Sequence, residues 1–140
     1  MRNQHIVILI DRGLLDGSAF VSKTAWQALV DELGSSTINL RENRYDAVVH
    51  MVTAADGAES FYETITNEAR YNSAAESVVI DKKLREAYMG HQRWFMIDNP
   101  GCDFDQKIAK TKETIYHILG KEQAGSSFYR KFLLKKSSTS

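Results

Sequence analysis

The sequence contains few cysteines and prolines and has no excess of either charge. Each of these shortages excludes some classes of protein. Among its 140 residues there is one cysteine and one proline, and lysine plus arginine equals aspartate plus glutamate at 18 each. The lone Cys102 excludes an internal disulfide and fits a reducing compartment. The formal net charge of zero leaves no basic excess, so nucleic acid is not predicted as a general partner.

Long hydrophobic stretches are also missing near the N-terminus. The apolar stretch at residues 5–10 meets Asp11 at once, which makes it too short for a signal peptide or a membrane span. We therefore expect a cytoplasmic protein with no transmembrane segment. A composition of 43% hydrophobic and 26% charged residues is ordinary for one globular domain and supplies enough apolar material for a core.

Several motifs that carry chemistry are absent. The sequence has no Gly-x-Ser-x-Gly, and its four histidines and one cysteine show no zinc-type spacing. A Walker A loop needs Gly-x-x-x-x-Gly-Lys-Ser/Thr to cradle phosphates with backbone N–H groups and a lysine. The single Gly-Lys pair, Gly120-Lys121, follows a predicted helix and precedes a glutamate, so no phosphate-binding loop is present.

What is present is an alternation of strand and helix patterns. Strands are predicted at 5–10, 45–54 and 93–97, and helices at 18–33, 59–88 with an interruption at 67–73, and 103–119. Residues 35–44 are predicted to be a polar loop. Within the first helix Ala25, Leu29 and Leu33 fall on one face, with Trp26 and Val30 beside them, and Gly34 ends the helix. Asp103 is predicted to cap the last helix and Gly120 to end it. This order predicts an α/β fold with a parallel sheet and flanking helices.

Ligands of open parallel sheets bind outside the carboxyl ends of the strands, so the residues after each strand matter most. Asp11-Arg12-Gly13 follows the first strand. Asp11 suits magnesium, which takes one or two carboxylates together with phosphate oxygens and water. Arg12 suits phosphate, and Gly13 allows a sharp turn. The alternative is that Asp11 caps a turn and Arg12 is a solvated surface residue.

Arg70 and Asp16 are weaker candidates. Arg70 lies in the interrupted part of the second helical region, where a mobile basic residue could close over a transferring phosphoryl group. From the residues alone, the favoured interpretation is a surface arginine that pairs with Glu68 or Glu76. Asp16 is better interpreted as an N-cap for the helix that follows. One functional hypothesis nevertheless uses it together with Asp11, in a metal-assisted hydrolase.

The residues around the last strand allow two interpretations each. Asp98 and Asn99 could contact a nucleotide base, or form a turn with the Pro100-Gly101 pair that follows. His91, just before that strand, is ambiguous between binding and structure. His50 lies within a predicted strand and is interpreted as a core histidine.

Four stretches together carry a family resemblance. Residues 8–34 (ILIDRGLLDGSAFVSKTAWQALVDELG), 40–77, 81–99 (DKKLREAYMGHQRWFMIDN) and 103–108 (DFDQKI) resemble the NadR/TRPL-translocation-defect type of P-loop ATPase/GTPase domain. The resemblance covers roughly residues 5 to 119 in matching order. It implies a three-layer, nucleoside-kinase-like P-loop NTPase sheet that binds ATP or GTP with Mg²⁺.

The resemblance also implies roles for particular residues. Asp11 and Arg12 correspond to the Walker B-like element, with Asp11 as the metal ligand, and Arg70 corresponds to the lid arginine. The Gly-His before the last strand of the family corresponds to Gly90-His91, and the Asp-Asn after it corresponds to Asp98-Asn99; the resemblance implies a cofactor-binding role for His91, Asp98 and Asn99.

The departure from the family pattern is large, because the P-loop strand and helix that precede the matching region are absent. That strand lies in the family between the Asp-Arg-Gly strand and the next one, so we expect an incomplete sheet with open edges and marginal stability. We expect residues 1–120 to form the C-terminal part of a P-loop NTPase-like domain, 121–127 a linker, and 128–140 a disordered tail with the truncated start of a second domain resembling the CYTH fold. The chain is thus expected to be an internal piece of a longer protein.

Besides the metal-assisted hydrolase with Asp11 and Asp16, the sequence leaves two functional hypotheses, which rank above it. The first is a nucleotide-binding NTPase or kinase-like domain that is catalytically incompetent without its P-loop. The alternative is a non-catalytic interaction or trafficking module that pairs with a protein partner through its open sheet edge. The short basic group Arg130, Lys131, Lys135 and Lys136 is too small to predict a membrane site.

Overall fold

A computed structural model describes residues 6–57, 73–99, 101 and 103–120. Its elements, in chain order, are a 3₁₀ helix Leu14–Ala19, α1 Lys23–Glu32, α2 Thr37–Glu42, β1 Val48–Met51, α3 Ala74–Tyr88, β2 Trp94–Ile97 and α4 Phe104–Ile118. β1 and β2 pair in parallel, with Val48 opposite Trp94 and Met51 opposite Ile97. The chain is therefore an α/β protein with a small parallel sheet. Within the described ranges, no helix is long and apolar enough to cross a membrane.

Local sequence explains where the helices begin. The side-chain oxygens of Ser22 and Ser36 accept hydrogen bonds from backbone N–H groups three residues ahead, which satisfies donors that a helix start leaves free. α3 and α4 each begin with a capping box, in which Glu76 and Gln106 bond back to the N-cap residue. Asp103 is the N-cap of α4, as predicted.

Glycines in the left-handed conformation follow the helix ends. Gly34 and Gly120 have φ angles of 62° and 67°. Glycine adopts this conformation without a steric penalty, because it has no Cβ. Both positions were predicted to end helices. Gly90, with φ of 108°, lies two residues past α3, where an added Cβ would come within 3.0 Å of the Arg41 guanidinium.

The main core lies where the 3₁₀ helix, α1, α2 and α3 meet. Its buried members are Leu15, Val30, Leu40 and Tyr88, and Trp26, Tyr45, Val48, Ala87 and Trp94 pack around them. Trp26 donates its indole N–H to Thr37 Oγ1 at 3.2 Å, which joins α1 to α2. The indole nitrogen of Trp94 is buried without a hydrogen-bond partner among the described residues.

Three predictions of local structure were wrong. Residues 6–10 form no strand, and their five aliphatic side chains are between 47% and 87% exposed. The predicted loop at 35–44 contains α2, because Ser36 caps a short helix whose Leu40 enters the core. The predicted apolar face of α1 was wrong for Leu29 and Leu33, which are 49% and 64% exposed, whereas Val30, predicted to lie beside that face, is buried.

The other elements were predicted with the right type and wider bounds. β1 and β2 lie inside the predicted strands 45–54 and 93–97, and α4 lies inside 103–119. α3 occupies the later part of the predicted helix 59–88, and its earlier part, from residue 59 to residue 72, lies outside the described residues. The linker 121–127 and the segment 128–140 lie outside them as well.

Candidate functional site

The Asp11-Arg12-Gly13 turn has an unusual backbone. Arg12 has a φ of 66°, and among the described non-glycine residues it is the one in the positive-φ region. A left-handed conformation costs an L-residue roughly 1 to 2 kcal/mol, so the surrounding structure must impose it. Asp11 and Arg12 nevertheless have exposed side chains. The turn therefore fixes the backbone while it presents one carboxylate and one guanidinium to solvent.

Two tyrosines hold the residues that follow this turn. A Cβ added at Gly13 would lie 2.1 Å from Tyr88 Oη and 3.1 Å from Tyr45 Oη, so only glycine fits. Leu14 N donates to Tyr45 Oη at 2.6 Å, and Tyr88 Oη donates to Asp16 Oδ1 at 2.7 Å. The turn is thus fastened to the end of α3 and to the segment that leads into β1.

Asp16 does not cap the next helix, because Ser22 occupies the N-cap of α1. It accepts the hydroxyl hydrogen of Tyr88 from 72 positions along the chain. Burial raises the pKa of Tyr88 above its ordinary value, and the hydrogen bond to Asp16 and the charge of that carboxylate raise it further. Asp16 therefore serves the packing of α3 against the 3₁₀ helix.

Asn99 closes the carboxyl end of the sheet. Its amide nitrogen donates to the carbonyls of Thr53 and Asp56 at 2.6 Å each, and its Oδ1 accepts from Lys107 Nζ at 2.7 Å. Lys107 also donates to the Val52 carbonyl. The end of β2, the loop after β1 and the first turn of α4 are joined through this one side chain, which is 4% exposed.

A second buried polar network is centred on Asp81 of α3, and it shares Thr53 with the network around Asn99. Asp81 Oδ1 accepts from Thr53 N at 2.9 Å, and Oδ2 accepts from Arg85 Nη2 at 3.0 Å. His50 Nε2 lies 3.3 Å from Asp81 Oδ1, outside hydrogen-bond geometry, and the His50 ring packs beside Trp94. Arg85 also approaches Asp56 at 3.8 Å. His50 is buried, as predicted for a core histidine.

Sequence reasoning did not single out Asp81, Arg85 or Lys107. The signal for the first two was available, because an acid and a base four residues apart share one face of a helix. Nothing local identifies Lys107, since its partners are 8 and 55 residues away in the chain.

The residues predicted to bind a cofactor are divided between the two ends of β2. His91 lies at the amino end, where its Nδ1 accepts from Arg93 N at 3.0 Å and its Nε2 bonds the Tyr45 carbonyl at 2.8 Å. Because Nδ1 accepts, the hydrogen resides on Nε2. Asp98 and Asn99 lie at the carboxyl end, and exposed Asp98 is 4.0 Å from Lys110 Nζ. The binding roles of these three residues stay predictions.

Magnesium requires little of the protein beyond a carboxylate. Across the described ranges, no group of three or more His, Cys, Asp or Glu side chains converges as a metal site. A magnesium ion carried by nucleotide phosphates takes most of its ligands from phosphate and water, so a single exposed carboxylate such as Asp11 fits it. Arg70 lies outside the described residues, and its lid role stays a prediction.

Comparisons of the chain with protein-family models, with curated proteins and with solved structures found no match. The function proposed below is therefore inferred from the geometry of the Asp11-Arg12-Gly13 turn and from the resemblance carried by the sequence itself.

Proposed function

We propose that this chain is a nucleotide-binding domain of the P-loop NTPase type that holds a magnesium nucleotide weakly and does not turn it over. The observation that carries the proposal is the strained turn at Arg12. Strain in a backbone fixed by its surroundings is typical of ligand-binding sites. Here it coincides with the two exposed side chains, Asp11 and Arg12, that the sequence independently suggests for metal and phosphate.

The chemistry of these two side chains complements a magnesium nucleotide. Asp11 would hold the ion, which supplies neutralisation of phosphate charge when bound. Arg12 would donate paired N–H groups to phosphate oxygens in the bidentate geometry that guanidinium favours. The hydrogen bonds that join Leu14 to Tyr45 and Asp16 to Tyr88 reduce the conformational freedom that binding would otherwise remove.

The missing Walker A loop sets the limit of the activity. Phosphoryl transfer depends on positioning and on electrostatic stabilisation, which in P-loop enzymes come from the loop amides and its lysine. Without them the chain retains a metal ligand and one phosphate contact. We therefore propose binding of ATP or GTP without hydrolysis at a measurable rate.

A binding titration tests the proposal. Fluorescently labelled GTP and ATP would be titrated with the full chain, with and without Mg²⁺. Asp11→Ala and Arg12→Ala would each weaken binding by about ten- to a hundredfold, the loss expected when one charged hydrogen-bond partner is removed. Asp105→Ala and Lys112→Ala are matched controls, because both residues are exposed and lie on α4, far from the turn in sequence.

Binding that ignores Mg²⁺, or that survives Asp11→Ala, contradicts the proposal. A folded chain with no affinity for either nucleotide contradicts it as well. No specific observation favours the metal-assisted hydrolase, since the Asp16 carboxylate is engaged by Tyr88.

A further inference from the structure

The segment 6–10 (IVILI) has the composition of a buried strand but forms no strand in the structure. It precedes the turn, carries five aliphatic residues in a row, and exposes them by 87%, 47%, 77%, 72% and 61% in chain order. None of its backbone groups makes a hydrogen bond to the described part of the chain. A stretch that is apolar on both faces suits the interior of a parallel sheet, where helices cover both sides. Monomeric proteins rarely leave such a patch uncovered.

The chain also carries the edge that such a strand needs. Val48 N and Val52 N donate to the carbonyls of Arg93 and Ile97, so these residues direct their backbone groups towards β2. Because neighbouring residues of a strand direct these groups to opposite edges, Val49 and Met51 turn theirs away from β2. The sheet has two strands in the described ranges, and nothing there pairs with that outer edge of β1.

The outer edge has a defined end. The N–H of Thr53 points to the same side as those of Val49 and Met51, and it is taken by Asp81 Oδ1 at 2.9 Å. An added strand can therefore pair along β1 and no further. The segment 6–10 has five aliphatic residues, one more than the four residues of β1, so it is long enough to pair along the whole strand.

We propose that two copies of this chain associate by reciprocal strand exchange, with residues 6–10 of each copy pairing along the outer edge of β1 of the other. The second copy is the occupant because donor and acceptor are both unpaired on one chain, so two copies satisfy each other through a closed twofold arrangement. Backbone hydrogen bonds along the edge supply affinity, and the aliphatic side chains supply burial. This association does not require nucleotide binding, and it gives the interaction-module hypothesis a partner.

Self-association of the full chain tests the proposal by sedimentation velocity across a range of concentrations. The wild-type chain would form a dimer, and Ile8→Lys would weaken it at least about tenfold, because a charge in the middle of the strand opposes burial. Ile38→Lys is the matched control, since Ile38 on α2 is also largely exposed, at 60% against 77% for Ile8. It would leave the dimer unchanged. Circular dichroism of both variants confirms that the helices remain.

A cross-link between different chains separates exchange from pairing within one chain. In a Cys102→Ser background, one preparation carries Ile8→Cys and the other carries Met51→Cys, and a short bismaleimide is added to each alone and to the mixture. Reciprocal exchange predicts that the Ile8–Met51 heterodimer forms in the mixture as the main product.

Three results overturn the proposal. The first is a chain that stays monomeric at every concentration. The second is a dimer that survives Ile8→Lys, which would assign the interface to another surface. The third is a monomer that floats with phosphatidylcholine vesicles unless Ile8 is changed to lysine, which would assign the segment to a membrane surface.

Discussion

The segment 6–10 and the strands β1 and β2 are made of the same kinds of residue, yet they end in different environments. β1 and β2 pair with each other, and Ile97 at the end of β2 is 3% exposed. Ile8 in the first segment is 77% exposed and unpaired. An apolar composition rich in β-branched residues thus indicates that a segment needs burial. Whether the segment pairs as a strand depends on a neighbouring backbone, which only tertiary or quaternary structure supplies.

The polar residues that follow these segments differ in the same way. After β1 and β2, Thr53 and Asn99 are bound into buried networks with Asp81 and Lys107, so they stabilise the sheet. After the segment 6–10, Asp11 and Arg12 remain exposed. Exposed Asp98 apart, the polar residues after the two paired strands therefore stabilise the structure, whereas the proposed ligand contacts at Asp11 and Arg12 lie after the unpaired segment.

The largest expected effect comes from making the same substitution in both regions. Ile97→Ala removes buried atoms and would lower the free energy of unfolding by about 3 kcal/mol, whereas Ile8→Ala would change it by less than about 0.5 kcal/mol. Urea denaturation measures both, at protein concentrations low enough to keep the chain monomeric. Equal losses of unfolding free energy at the two positions would show that the segment 6–10 is buried in solution, so that it would not differ from β2 in this respect.

Removing the buried carboxylate at the end of β1 ranks next. Asp81→Ala would cost about 2 kcal/mol, because it leaves the Thr53 N–H and the Arg85 guanidinium without their partner; partial exposure of Arg85 holds the cost below that of a fully buried pair. Glu86→Ala, on the exposed side of the same helix, is the control and would be near neutral. Similar denaturation midpoints for the two variants would contradict a structural role for Asp81.

Tyr88 links α3 to the residues after the first segment and gives a pH signature. Its raised pKa means that the folded chain keeps the hydroxyl proton while the unfolded chain loses it above the ordinary tyrosine pKa of about 10. The stabilising contribution is therefore complete below pH 10 and is lost as the pH rises, by up to about 1.4 kcal/mol per pH unit. Tyr88→Phe would cost about 1 kcal/mol at neutral pH and would reduce the alkaline slope.

Tyr116→Phe is the control for that measurement, because Tyr116 is 37% exposed on α4. It would change the free energy of unfolding by less than about 0.5 kcal/mol at neutral pH. An unchanged slope in Tyr88→Phe would mean that the hydroxyl is not held by Asp16 in solution.

The smallest expected effect is an increase in stability. Arg12→Gly would relieve the left-handed backbone and raise the free energy of unfolding by about 0.5 to 1 kcal/mol, after allowance for the greater freedom of glycine in the unfolded chain. The same variant would lose the proposed phosphate contact, so stability and nucleotide affinity would change in opposite directions. Arg44→Gly would give no gain, since Arg44 has no positive φ.

The sequence predicted those features that depend on near neighbours. Asp103 at the start of α4, and Gly34 and Gly120 after their helices, act through groups within a few residues. α2 was missed because a single turn capped by Ser36 carries too few apolar residues to show a period. Asp81 and Asn99 were beyond prediction in their roles, since each is defined by partners brought together through the sheet.

The two tryptophans described in the core make the chain observable in two places at once. Trp26 joins α1 to α2, and Trp94 lies in β2 beside His50. Replacing one or the other with phenylalanine leaves a single emitter in the helical region or in the sheet. If both emitters report the same denaturation midpoint, the helices and the sheet unfold as one cooperative unit; if the Trp94 signal is lost first, the small sheet is the weaker half.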